Sequence, residues 1–78
     1  MLDVERANAV KERHSAQFLA MSGISGIGVE HDPVLGPHIL IHLDEGREDL
    51  AKSLPRELEG VPVRFVADGP FYAFTPKR

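Results

Sequence analysis

Met21–Val29 reads MSGISGIGV, and how this stretch is read decides the fold. It follows a helical pattern and places glycines at Gly23, Gly26 and Gly28. It then leads into alternating apolar residues. Ile27 and Val29 fall on one strand face, which leaves Gly26 and Gly28 on the other. A strand face without side chains marks a bend or a place where another backbone comes close.

Working backward, Asp3 reads as a helix N-cap. Val4, Ala7, Val10, His14, Phe18 and Met21 recur at spacings of three and four. They form one apolar stripe on a helix running to about Met21, stopped by Gly23. Working forward, the strands Ile24–His31 and His38–Leu43 flank Asp32-Pro33-Val34-Leu35-Gly36-Pro37. Two prolines and a glycine there mark the loop of an antiparallel hairpin. Ile39, Ile41 and Leu43 then share a face with Ile27 and Val29, and the helix covers it.

Asp44 is expected to cap a second helix with Leu50, Ala51 and Leu54 on its apolar side, ended near Pro55. Val61, Val63 and Phe65 alternate as a third strand. Gly69-Pro70 is a turn, Phe71–Phe74 a short fourth strand, and residues 75–78 a frayed tail. The expected fold is a single α+β domain over residues 1–78. Two helices lie on one face of a three- or four-stranded, mainly antiparallel sheet, in the order α-β-β-α-β(-β).

Composition narrows the function. The chain has 78 residues, no cysteine and a formal net charge of −3. No disulfide framework or thiolate metal site is available, and the charge balance gives no nucleic-acid footprint. No apolar run is long enough to span a bilayer, and the charged N-terminus lacks the apolar core of a secretory signal. A cytoplasmic protein follows. A core this small gains stability from self-association, so a homodimer is expected.

With Ile27 opposite Ile41 and Val29 opposite Ile39, Glu30 lies opposite His38 and Gly26 opposite His42. The outer sheet face then carries Glu30, His38, Leu40 and His42 over a floor of Gly26 and Gly28. Tyr72 joins it from the aromatic run Phe71-Tyr72-Ala73-Phe74. These residues form the expected partner surface. Imidazoles beside a carboxylate also suit a metal or small molecule, but residues four apart on a strand lie about 13 Å apart. His38 and His42 therefore need a third ligand to share an ion, and no cofactor is assigned. His14, on the apolar stripe, is expected to pack with one ring nitrogen hydrogen-bonded.

No catalytic constellation is legible. Gly23-Ile24-Ser25-Gly26-Ile27-Gly28 follows a helix instead of opening one, so it lacks the geometry of a phosphate loop. The serines lack a Gly-x-Ser-x-Gly setting. The expected role is a non-enzymatic interaction or accessory module that self-associates. The alternative is a small-molecule or metal-binding domain using the outer-face histidines.

The helix with its central histidine, then GISGIGV, ILIHL, LPRELEGVPVRFV and GPFYAF, also resembles a small, poorly characterised bacterial α+β domain family. Its members occur alone or preceding trypsin-like peptidase domains. Leu54-Pro55 through Val63 carries the most specific part of the likeness. The resemblance implies the fold and an accessory role, with no activity to transfer to particular residues.

Overall fold

The computed structural model describes residues 3–69. Its elements are α1 (Val4–Leu19), β1 (Ile24–Asp32), β2 (Gly36–Asp44), α2 (Leu50–Ser53), β3 (Glu57–Leu58) and β4 (Val61–Gly69). The sheet is mixed, in the order β1-β2-β4-β3. β1–β2 and β3–β4 pair antiparallel, while β2–β4 is parallel.

Asp3 caps α1 in extended conformation, and its carboxylate accepts from the Arg6 N–H at 2.8 Å. Ala7, Val10 and Phe18 are buried on the stripe, whereas Val4, in the first turn, is 48% exposed. The helix ends at Leu19, before the expected Met21, with Ala20 as its C-cap. Gly23 then turns the chain into β1 with φ +95°. Its carbonyl accepts from the Asp44 N–H at 2.8 Å, which ties the helix exit to the end of β2.

The hairpin has the expected register, including Ile27↔Ile41, Val29↔Ile39, Gly26↔His42 and Glu30↔His38. One extra β1 residue, Ser25, lies between the pairs Ile24↔Leu43 and Gly26↔His42. Its hydroxyl donates to the His42 carbonyl at 3.3 Å. At the tip, the Asp32 carboxylate accepts from the N–H groups of Val34 and Leu35. That local bonding, with Gly36 at φ +78°, closes the reversal.

β2 is an interior strand, between β1 and β4. Ile39, Ile41 and Leu43 are almost wholly buried, joined in the core by Val61 and Val63. Along β4, Ile39 pairs with Val63 and Ile41 with Phe65. α1 packs across β1 and β2 on this inner face.

The second helix departs from expectation. Asp44 ends β2, paired with Gly69, and does not cap a helix. Its carbonyl accepts from the Arg47 N–H, and Gly46 takes φ +89°. Turns occupy the residues between Asp44 and Leu50, so α2 begins only at Leu50. Its N-cap, Asp49, makes no side-chain cap bond. Leu54 is extended (ψ 153°), as a residue before proline prefers. Leu50, Ala51 and Leu54 pack on the core as expected.

Within the described residues the fourth strand is Glu57–Leu58, ahead of β4. The strand expected at Phe71–Phe74 lies outside them. A two-residue turn, Glu59-Gly60, joins β3 to β4 with both φ angles positive (51° and 86°). Those are the signs of a type I′ hairpin turn, which usually takes Asn or Gly at its first position.

Candidate functional site

The outer sheet face is built by alternation. β1 contributes Gly26, Gly28 and Glu30, and β2 contributes His38, Leu40 and His42, paired one to one. Parallel pairing of β4 adds Arg64 beside Leu40 and Val66 beside His42. An open concavity of about 440 Å³ lies over this face, with Leu40 and Val66 among its apolar lining. A Cβ built on Gly28 meets no atom within 4 Å, so the backbone there faces open space. Tyr72 lies outside the described residues.

Two polar pairs organise the face. The His42 Nδ1–H donates to the Asp68 carboxylate at 3.0 Å. Arg64 reaches across β2 to donate to Asp32 at 3.2 Å. Asp32 sits below the ordinary carboxylate range. The Leu35 N–H does most of this, followed by the Val34 N–H and the charges of His38 and Arg64, against the opposing effect of burial.

His38 is only 4% exposed, so it is not the solvated side chain that an outer-face position suggests. Its Nδ1–H donates to the Gly36 carbonyl at 2.9 Å, which makes it part of the hairpin turn. Among the described residues, no three His, Asp or Glu side chains converge on a possible metal position. No hydroxyl or thiol side chain is among those lining the concavity. His42 and Asp68 form an oriented imidazole–carboxylate pair at the concavity.

A second cluster lies at the β3–β4 turn, against α1. The Glu59 carboxylate accepts from the Arg13 guanidinium and from His14 Nε2 at 2.9 Å. The Glu59 carbonyl accepts from Arg6 at 2.8 Å. Three side chains of α1 thus grip one residue in the left-handed region. The hydrogen bonds from Arg13 and then His14 hold the Glu59 carboxyl down to about 2. His14 has the hydrogen-bonded ring expected of it. Its partner, 45 residues away in sequence, was not identifiable from the helix alone.

Arg64, Asp68 and Asp32 are the outer-face residues that sequence reasoning missed. The alternation of Arg64, Val66 and Asp68 along β4 would have found the first two once β4 was known to lie beside β2. Comparison with family models, characterised proteins and solved structures finds no match to the chain.

Proposed function

We propose that the protein is a non-enzymatic interaction module that self-associates along the β1 side of its sheet. One observation carries this reading. Among the described residues β1 pairs with β2 alone, which leaves the other edge of a nine-residue strand unpaired. Such an edge is a template for another strand. Natural proteins blunt exposed edges with proline, charged side chains or bulges. Ile24–Asp32 has no proline or lysine. Its bulge at Ser25 and the charges of Glu30 and Asp32 lie toward its two ends, which leaves Gly26–Val29 as the open stretch.

The outer face itself suits self-contact less well. A two-fold contact between copies sets each surface against itself, and this face carries Glu30, Asp32, Arg64 and Asp68. An accessory role beside another domain, as the sequence resemblance implies, is compatible with such a module. A cytoplasmic location accompanies the reading on composition. Among the described residues no helix is long and apolar enough to cross a membrane.

The test is solution mass by light scattering over a concentration series, with zinc and with EDTA. A concentration-dependent dimer indifferent to both is the expected result. A monomer throughout removes the reading. The concavity beside the His42–Asp68 pair favours a second reading, a small-molecule or metal-binding domain using the outer-face histidines. A metal-dependent response that disappears in His42→Ala would replace the first reading with it.

A further inference from the structure

We propose that the occupant of the β1 edge is the β1 strand of a second copy, antiparallel, with Gly28 on the two-fold axis. This rests on the self-association proposed above and adds the partner's orientation and register. Three features select them.

The first is charge. Glu30, His31 and Asp32 occupy one end of β1, and Ile24–Val29 carries no charged side chain. Parallel pairing would bring Glu30 beside Glu30. Antiparallel pairing instead sets the charged end of one copy against the neutral end of the other, and like charges directly opposite destabilise a pair.

The second is apolar matching. Ile27 and Val29 face inward and pack on the core while remaining only partly buried. With Gly28 on the axis, Ile27 of each copy lies opposite the other copy's Val29, which continues the apolar inner face across the junction. An axis at Val29 would set Ile27 opposite His31, and an axis at Glu30 would set that carboxylate against its own copy.

The third is the outer face. Here the same register places Glu30 opposite Gly26 and Gly28 opposite Gly28. Gly26 has no side chain to set against the Glu30 carboxylate. At Gly28 the direction a side chain would take is open.

The chain has no cysteine, so single replacements report geometry without background thiols. Directly opposed residues of an antiparallel pair have Cα atoms about 4.5–5.5 Å apart, inside the disulfide range. In this register the two copies of Val29 are diagonal neighbours about 7–8 Å apart, too far to bridge. Val34, 96% exposed at the hairpin tip, gives the rate of chance collision.

The experiment oxidises Gly28→Cys, Val29→Cys and Val34→Cys in the full chain and follows disulfide-linked dimer by non-reducing electrophoresis. The reduced proteins are checked for native mass and circular dichroism. Near-complete linkage of Gly28→Cys, with Val29→Cys no faster than Val34→Cys, is expected. Preferential linkage of Val29→Cys overturns the register. A dimeric wild-type protein in which neither strand position links faster than Val34→Cys overturns the edge contact but leaves self-association standing. A protein monomeric at every concentration overturns both.

Discussion

Replacing Gly28 by valine should stabilise the fold, against the usual effect of changing a glycine in a GxG run. The built Cβ at Gly28 meets nothing within 4 Å, and the residue is not among the glycines with positive φ. Glycine within a strand costs about 0.5–1 kcal/mol relative to alanine through lost chain entropy. The β-branched preference spans at most about 1 kcal/mol more, and an edge strand realises only part of it. The expected gain is therefore about 0.5–1.5 kcal/mol. With a urea m-value of about 1 kcal/mol/M for so small a domain, the midpoint should rise by roughly 0.5–1.5 M.

Gly23→Ala is the contrast. Its φ of +95° costs an L-residue about 1–2 kcal/mol. The added Cβ would also lie 2.6 Å from Leu50 Cδ1, which must swing aside. Equilibrium unfolding by circular dichroism measures both variants. A destabilised Gly28→Val, or a Gly23→Ala as stable as wild type, would refute the reasoning about where this chain needs glycine.

Ile41→Ala, at a fully buried position on β2, should lose about 2–5 kcal/mol and leave little folded protein at ambient temperature; thermal unfolding checks it. Glu59 is ordinarily protonated near 4.5 and is held to about 2 in the fold, so its ionised form favours folding. That stabilisation is complete above pH 4.5 and is lost as the pH falls toward 2. Glu59→Gln should therefore flatten this part of the stability profile measured by urea unfolding, and an unchanged acid limb would contradict the Arg13–His14 grip. Gly28→Lys should weaken self-association by a factor of about 1.4 to 5, because one like-charge pair across the axis costs roughly 0.2–1 kcal/mol, while Gly28→Val should retain it. Sedimentation equilibrium separates the two, and loss in both variants would instead point to contact through the outer face.

Much of the hairpin was legible because its signals are local. A period of two at Ile27 and Val29 has one matching partner set, Ile39, Ile41 and Leu43, across a loop marked by Pro33, Gly36 and Pro37. The α1 stripe was legible for the same reason. What escaped is non-local or ambiguous. Nothing in Val61–Val66 says that this strand lies parallel beside β2 and not at the other edge, so Arg64 and Asp68 could not be placed on the face.

Asp44 illustrates the ambiguity. A short polar residue before acidic neighbours is a helix-cap signal, yet here it ends a strand. Glu59 occupies a left-handed turn position where glycine or asparagine is the ordinary signal, so Glu57–Leu58 gave little sign of being a strand. His38 lies on the expected face, but it is buried and its ring is hydrogen-bonded to the Gly36 carbonyl of the turn, which the strand pattern alone does not reveal. The outer-face positions of the hairpin were thus readable, while those of β4 and the side-chain pairs His42–Asp68 and Arg64–Asp32 required the folded sheet.

Amide hydrogen exchange in β1, compared at low and high protein concentration, tests the self-association claim most directly. Amides of β1 that point away from β2 should exchange rapidly in the dilute protein and become protected as concentration rises, while β2 amides change little. Protection that is independent of concentration, or that grows elsewhere and leaves the β1 edge unaltered, would contradict the claim that two copies meet along this strand.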